Sequence, residues 1–271
     1  MHIFLSALES SHASVSDGGE CVAEILARNG IRMKYNLISY FAIHEHEKRR
    51  AAAYFIRDNS EEILIDSGAH SFQKGKRVSW DEYTDRYCDF IRQFDRPNVL
   101  GYFEMDVDKI IGLAKVSELR KRLERVTDKI IPVWHKGRGI ADFKAMCESH
   151  KGRIVAITGF ANEDIKDEQY MMFVRHARKC GCRIHCLGMT RKKVLDKVPF
   201  DYTDSSTWLQ RALFGITVNN AKQRASRSFS KAHYGAVFVR SYINAMKDQN
   251  HYEEKWRKEH NWLFRLCYNT A

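Results

Sequence analysis

Short β-rich segments alternate with longer amphipathic segments through residues 1–210, and this rhythm limits the fold more than any other feature of the chain. Strands joined by helices in this way form parallel sheets. The predicted strands are 2–6, 34–39, 63–66, 99–106, 129–134, 154–158, 183–187 and 200–203. The predicted helices are 19–29, 45–58, 79–95, 109–126, 139–150, 167–180 and 190–196. Eight strands with intervening helices predict an α/β fold of the (β/α)8 TIM-barrel type. An open, doubly wound sheet is the alternative, because periodicity does not show whether a sheet closes.

The rhythm ends after Trp208, and residues 211–271 are predicted to form a basic, mainly helical extension packed on the barrel of residues 1–210. The chain contains 45 Lys and Arg against 34 Asp and Glu, a formal net charge of +11. Eleven of these positive charges but only four of the negative ones follow residue 210, a surplus of 11 − 4 = 7. A basic surface of this kind favours a polyanionic partner, of which nucleic acid is the first candidate.

Aromatic residues are interleaved with the basic residues of this extension. Such a surface can bind phosphates through its charges and stack unpaired bases on its rings. The alternative is that the aromatic residues pack against the barrel, as large apolar side chains usually do. Arg224, Arg227 and Lys231 lie in a polar, Ser-rich stretch and are the predicted phosphate-contacting residues.

The sequence also indicates a compartment. No run of eighteen apolar residues occurs, so no membrane partner is predicted. The N-terminus has no basic region and reaches Glu9 too early for a signal peptide. The seven scattered cysteines fit reduced thiols better than a disulfide framework. These features together predict a cytoplasmic protein.

Motifs for nucleotide cofactors and metals are weak or missing. Neither G-x-G-x-x-G nor G-x-x-x-x-G-K-[ST] follows a predicted strand, so no cofactor is predicted. Cys180, Cys182, His185 and Cys186 lie close together, but they do not form the two separated ligand pairs of a structural zinc site. No metal site is predicted, although the spacing leaves metal binding by the three cysteines undecided.

Carboxylates close several of the predicted strands. Asp66 ends the third, Glu104 and Asp106 end the fourth, and Asp201 and Asp204 end the eighth. In a barrel the carboxyl ends of all strands meet at one mouth, where repulsion between acids raises some of their pKa values. Each acid taken alone could instead cap a helix or form a turn. Their recurrence at three strand ends favours acid–base chemistry.

Glycines and one histidine lie beside the same ends. At Gly68, Gly159 and Gly188 the missing side chain would let a flat ligand approach the backbone, although turn geometry is the alternative at each. His135 follows the fifth strand and could line the same pocket, with a core or surface role as the alternative.

Five of these strand-end segments resemble, in the same order, those of the tRNA-guanine transglycosylases. Residues 66–69 (DSGA) resemble the family's D-S-G-G segment, 133–137 (VWHKG) stand where it has V-Q-G-G, and 157–161 (ITGFA) stand where it has G-G-L-A. Residues 185–189 (HCLGM) resemble L-M-G-V, and 201–205 (DYTDS) resemble D-M-F-D-C. The match spans residues 60–210.

The resemblance implies a barrel enzyme that exchanges a base on a nucleic acid through a covalent intermediate. It assigns Asp204 as the nucleophile, Asp66 as the general acid and base, and Asp106 as the acid that reads the heterocycle, with Glu104 as the alternative to Asp106. The other expected substrate-binding residues are Ser67, Gly68, His135, Gly159, Phe160 and Gly188.

The chain departs from the tRNA enzymes in one respect. They carry a C-x-C-x-x-C…H zinc site after the barrel, whereas Cys267 is the single cysteine after Asp204 here. This pattern is similar to the 7-deazaguanine DNA transglycosylases, the DpdA family of bacteria and bacteriophages. That branch implies DNA and a free 7-deazaguanine base, such as preQ0, as partners, in the host cytoplasm if a phage encodes the chain.

Three other functions stay open at the level of sequence. The same chemistry could act on tRNA, although the missing zinc module argues against it. A barrel glycoside hydrolase could use Asp66 and Asp204 on a carbohydrate, but the strong positive charge then has no evident use. A non-catalytic nucleic-acid-binding protein would use the strand-end acids only as caps and turns. The oligomeric state is not predicted.

Overall fold

The computed structural model describes residues 1–12, 19–69, 78–158, 165–218, 221–223 and 230–268, with the backbone alone for 216–218, 221–223, 231–232 and 260–268. One sheet of the described chain has the strand order β5-β4-β3-β2-β1-β9-β8-β7-β6, and all of its pairs are parallel. Its strands are β1 (His2–Ser6), β2 (Met33–Ser39), β3 (Ser60–Asp66), β4 (Val99–Phe103), β5 (Ile130–Ile131), β6 (Val133–Trp134), β7 (Ile154–Thr158), β8 (Arg183–Leu187) and β9 (Tyr202–Ser205).

The sheet closes through a strand that Pro132 interrupts. β5 pairs with β4 and β6 pairs with β7, and only Pro132 separates β5 from β6. Proline has no backbone N–H, so the hydrogen-bond ladder breaks at this residue. The Pro132 carbonyl still accepts a hydrogen bond from the Ala156 N–H at 2.9 Å. The strands therefore form a TIM-type barrel, as predicted, and the open sheet is excluded.

Glu104 joins the two sides of this closure inside the wall. Its side chain is fully buried, and Oε1 accepts the Val133 N–H at 2.7 Å while Oε2 accepts from Arg120 Nη1 at 3.3 Å. Arg138 Nη1 lies 3.7 Å from Oε1. Burial raises the pKa of Glu104 to about 7, against the opposing effects of Arg120, the Val133 N–H and Arg138. The carboxyl thus links the end of β4 to β6 where the proline removes the regular ladder.

Helices surround the barrel. They are α1 (Val22–Arg28), α2 (Tyr40–Ile43), α3 (Glu47–Asp58), α4 (Trp80–Phe94), α5 (Asp108–Ile111), α6 (Leu113–Glu124), α7 (Gly139–Ser149), α8 (Tyr170–Lys179), α9 (Lys192–Leu195), α10 (Thr207–Phe214) and α11 (Lys231–Tyr268). An antiparallel pair, β10 (Ile216–Val218) and β11 (Ala221–Gln223), lies between α10 and α11. The single helix predicted at 109–126 is wrong, because Gly112 at φ +80° separates α5 from α6. None of the helices in the described ranges is long and apolar enough to cross a membrane.

Alternate residues of the strands fill the barrel, since side chains of a strand point to opposite faces in turn. The buried cluster at its centre consists of Phe4, Tyr35, Leu37, Leu64, Phe103, Ile131, Val133, Ile154, Ala156 and Tyr202. The outward-facing residues of the same strands pack against the surrounding helices in two larger clusters. The interior is therefore a packed core, which restricts chemistry to the ends of the strands.

The long helix α11 lies against the outside of β1 and β2. The Tyr242 hydroxyl donates to Asn36 Oδ1 at 2.7 Å, and the buried Gln249 donates from Nε2 to the carbonyls of Ile3 (2.8 Å) and Tyr35 (3.0 Å). Phe238, Tyr242 and Tyr252 are buried on this face. Of the two roles that the sequence left open for the aromatic residues, these three have the packing role.

Candidate active site

Three carboxylates, from β3, β9 and the segment after β4, lie together at the carboxyl ends of the strands. Asp66 is the last residue of β3, Asp204 lies on β9, and Asp106 follows the end of β4. Burial, followed by the negative charges of Asp204 and Asp106, raises the pKa of Asp66 to about 6. The Gly68 N–H opposes this shift by donating to the carboxylate. The structure therefore brings together the acids that the sequence assigned to one mouth.

Asp204 is held by two donors on one of its two oxygens. Oδ1 accepts the Gly188 N–H at 2.8 Å and a hydrogen bond from His185 Nε2 at 3.0 Å. Gly188 has φ +64°, a conformation that glycine adopts at little cost, and this turn aims its amide at Asp204. Within the described ranges no donor binds Oδ2 of this carboxylate. Oδ2 is thus the oxygen available for a nucleophilic role.

His185 lies on β8 beneath Asp204 and was missed as a site residue by sequence reasoning. Its side chain is fully buried, and its ring makes an edge contact with Phe103 at 5.0 Å between centroids. Nδ1 is buried and has no hydrogen-bond partner in the described part of the chain. The position of His185, two residues before the end of β8, was a signal that its side chain could reach the mouth. The sequence interpretation treated this histidine only as a possible metal ligand.

Asp201 differs from Asp204 in its position. The prediction that both acids close the eighth strand is wrong for Asp201, because β9 begins at Tyr202. Asp201 Oδ2 accepts the Ile184 N–H at 2.8 Å at the opposite, amino-terminal end of the barrel. Asp201 therefore has a structural role there.

Asp106 pairs with His135 at the mouth. His135 Nε2 contacts Asp106 Oδ1, and Asp108 accepts from Arg138 Nε at 3.0 Å beside them. Burial alone would lower the pKa of His135, but the hydrogen bond and charge of Asp106, with the charge of Asp108, raise it. Ligand atoms of Asp106, Asp108 and His135 lie within 4.8 Å of one another and could hold a cation. Arg138 already neutralises Asp108 in this group, which favours a polar ligand over a metal ion.

The geometry separates Asp106 from its alternative, Glu104. Glu104 is enclosed in the wall by Arg120 and the Val133 N–H, whereas the Asp106 side chain is 21% exposed. Asp106 is therefore the acid that a ligand in the mouth can reach. Ser67 is also enclosed, because its buried hydroxyl donates to the Glu104 carbonyl at 2.8 Å. The Ser67 hydroxyl proton is thus used inside the wall, and contact of this residue with a substrate stays a prediction.

Gly68 follows Ser67 at a position that only glycine fits. Its φ is +74°, and a Cβ there would lie 2.1 Å from Phe41 Cβ and 2.9 Å from Phe41 N. The glycine allows the chain after β3 to pass against α2 and to point its N–H at Asp66. Gly68 therefore positions the Asp66 carboxyl, in addition to any contact with a ligand.

Glu9 is a second residue, after His185, that the sequence interpretation did not include. Ala7 at φ +70° turns the chain after β1, and Glu9 then reaches back so that its Oε1 accepts the Ser39 N–H at 3.3 Å. Ser39 is in register with Asp66 on the adjacent strand. No local pattern encodes this, because a left-handed alanine is an uncommon conformation that the tertiary structure imposes.

Burial raises the pKa of Glu9 to about 7, against Arg49 and the backbone amides, with a further contribution from the charge of Asp66. Because the folded pKa exceeds the unfolded value of 4.5, the stabilisation is complete below pH 4.5 and is lost as the pH rises through 7. The difference in unfolding free energy between Glu9→Gln and the wild type is expected to shift in favour of the variant by roughly 2–3 kcal/mol when the pH is raised from 5 to 8. Urea unfolding at both pH values measures this. Glu47→Gln, at an exposed position, controls for the loss of one negative charge.

Four predicted contacts lie outside the described residues, namely Gly159, Phe160, Arg224 and Arg227. Lys231 is the first residue of α11, and only its backbone is described. These five assignments stay predictions.

The cysteine cluster is divided among different surroundings. The Cys180 thiol donates to Glu148 Oε1 at 3.2 Å, while that of Cys182 contacts the carbonyls of Cys147 and His150 at 3.3 Å. Cys186 lies on β8, and its side chain is buried in one of the two outer clusters. In the part of the chain that is described, no three of these groups bring ligand atoms as close together as Asp106, Asp108 and His135 do.

Comparison with known proteins adds little to this geometry. No protein-family model matches the chain, and no curated protein is significantly similar to it. The chain is similar to a solved structure described as "Structural study of Project ID from Aquifex aeolicus VF5", at 12% identity and a TM-score of 0.48. The match covers 88% of this chain and 90% of the other chain. A likeness this weak carries no argument about activity.

Proposed function

We propose that the protein is a base-exchange transglycosylase that replaces guanine in DNA with a 7-deazaguanine base. The observation that carries the proposal is the division of labour between two interacting carboxyls. Asp204 presents Oδ2 while Oδ1 is held by His185 and Gly188, and Asp66 has a pKa raised to about 6. One acid is thus arranged as a nucleophile and the other as a proton carrier.

The reaction follows the two steps of a retaining glycosyl transfer. Asp204 Oδ2 attacks C1′ of a deoxyguanosine, the N-glycosidic bond breaks, and the departing guanine takes its electron pair and a proton from Asp66. A 7-deazaguanine then attacks C1′ from the face that guanine left, opposite Asp204. It gives its N–H proton to Asp66 and releases Asp204 as a carboxylate. The base and the protons balance without a cofactor.

Asp106 and His135 support recognition of the heterocycle. Asp106 is an acceptor for the N–H groups of guanine, and its contact with His135 fixes the orientation of the carboxylate. Because their pairing raises the pKa of His135, the imidazole can present a proton to a carbonyl or nitrile acceptor on the incoming base. One pair can thus offer both an acceptor and a donor.

DNA is favoured over carbohydrate by charge. The net charge of +11 suits a phosphate backbone, and the chain has no C-x-C-x-x-C segment after Asp204 of the kind that the tRNA enzymes carry. Access to C1′ requires the nucleotide to leave the base stack, at a cost of a few kcal/mol that contacts with the flanking strand must offset.

The test is incorporation of labelled guanine or preQ0 into guanine-containing DNA and into tRNA, each incubated with the purified protein. Incorporation into DNA with little into tRNA is the expected result. The reverse preference would make tRNA the substrate. Binding of DNA with no exchange into either polymer would contradict an enzymatic role and favour a binding protein.

The pH dependence of the first step has a defined sign. Asp66 donates a proton to the leaving guanine only in its acid form, which predominates below its pKa of about 6. We therefore expect the rate constant for guanine release, measured in a single turnover, to fall about tenfold per pH unit above about 6. Asp66→Asn should remove this limb along with most of the activity. A rate that rises through this range would assign Asp66 as a base in the first step.

A further inference from the structure

The hydrogen bonds on Asp204 distinguish its two oxygens, and this asymmetry has a consequence for the reaction. Both donors, His185 Nε2 and the Gly188 N–H, bind Oδ1. When Oδ2 is bonded to a sugar carbon, Oδ1 becomes the carbonyl oxygen of an ester. The same two donors therefore face a charged acceptor before the reaction and a neutral acceptor in the intermediate.

The surroundings of His185 define its proton. The ring lies inside the barrel against Phe103, with the centroid of Phe4 at 6.4 Å, and the side chain is fully buried. Nδ1 has no acceptor among the described residues, so a protonated ring would leave an N–H without a partner in apolar surroundings. The neutral ring with its proton on Nε2 fits the site, because that proton then points at Asp204.

We infer that His185 is a positioning residue that makes Asp204 a good leaving group and so keeps the covalent intermediate reversible. This inference rests on the proposed function. A hydrogen bond to a carboxylate is roughly twice as strong as one to a neutral carbonyl. His185 therefore stabilises the free carboxylate relative to the ester, and it favours the second step, in which the C1′–Oδ2 bond breaks and its electron pair returns to Asp204.

The experiment measures the internal equilibrium of the first step. A labelled guanine-containing oligodeoxynucleotide is incubated with the protein at fixed concentrations of guanine, quenched in denaturant, and the covalent fraction is read from a denaturing gel. We expect His185→Phe to raise the ratio of covalent to free enzyme about tenfold and to slow release of the adduct by added guanine. His185→Gln retains an N–H donor and should restore the wild-type ratio.

Controls separate this effect from damage to the fold. His150→Phe removes another buried histidine, which contacts Glu124 at 3.1 Å on the outside of the barrel, and should leave the ratio unchanged. His185→Leu is a smaller replacement if the phenylalanine variant does not fold, and thermal unfolding is measured for each protein.

The outcomes separate the role of His185 from the proposed function. A wild-type protein that forms no adduct overturns the proposed function and this inference with it. A wild-type adduct whose ratio is the same or lower in the phenylalanine and leucine variants overturns the role of His185 and leaves the proposed function standing.

Discussion

Replacing Asp204 with Asn is expected to reduce base exchange by about a thousandfold or more. The amide keeps the size of the side chain and can still accept the hydrogen bonds from His185 and Gly188. It lacks the negative charge that attack on C1′ requires, so the first step is lost while the fold is retained. Incorporation of labelled base into DNA, measured beside thermal unfolding, provides the comparison.

Asp201→Asn is the matched control for this change. Asp201 belongs to the same segment of sequence but accepts the Ile184 N–H at the opposite end of the barrel. The variant should keep near-normal exchange and lose at most about 1 kcal/mol of stability. Equal losses of activity in the two variants would contradict the assignment of Asp204 as the nucleophile.

Gly68→Ala is expected to destabilise the fold strongly, because it adds a methyl group where the chain has no space for one. Its φ of +74° disfavours alanine, and the new Cβ would lie 2.1 Å from Phe41 Cβ and 3.0 Å from Phe41 Cα. Because those atoms belong to or adjoin the backbone of α2, the chain after β3 must move. We expect a loss of roughly 3 kcal/mol or more in unfolding free energy, or no folded protein.

Two other glycines divide this cost into its parts. Gly30 has φ +69° with open space around it, so Gly30→Ala should cost only the roughly 1 kcal/mol of a left-handed backbone. Gly137 also has open space and no positive φ, so Gly137→Ala should change stability by less than about 0.5 kcal/mol. Chemical denaturation of the three variants gives the values. A Gly68→Ala protein as stable as Gly30→Ala would show that the packing against Phe41 is not restrictive.

The strands could be predicted because each is a compact apolar run. β1, β7 and β8 have the bounds that their β-rich segments indicated. Closure of the barrel could not be predicted from the sequence, since it depends on pairing across Pro132 and on the buried Glu104 carboxylate, which are tertiary contacts. The predicted end of β4, at residue 106, lies beyond the observed end at Phe103. The reason is again a tertiary contact, because Glu104 bonds across the wall after the strand has ended.

The acids at the mouth could also be predicted, because position after a strand determines where Asp66, Asp106 and Asp204 lie in a barrel. Their supporting residues could not. Glu9 reaches the mouth through a left-handed Ala7, and His185 reaches Asp204 from the interior of β8. Both depend on side-chain directions that only the closed barrel defines. Ser67 shows the converse, since a residue next to a site acid has its hydroxyl inside the wall.

In the proposed mechanism, a carboxyl oxygen of Asp204 forms a bond to a DNA sugar. The most direct measurement is mass spectrometry of the protein after incubation with a guanine-containing oligodeoxynucleotide in the absence of an acceptor base, followed by proteolysis to locate the adduct. We expect a protein–oligonucleotide species that has lost guanine, is attached within the peptide containing Asp204, and is missing from Asp204→Asn. Exchange that proceeds without this species, or an adduct on a different residue, would contradict it.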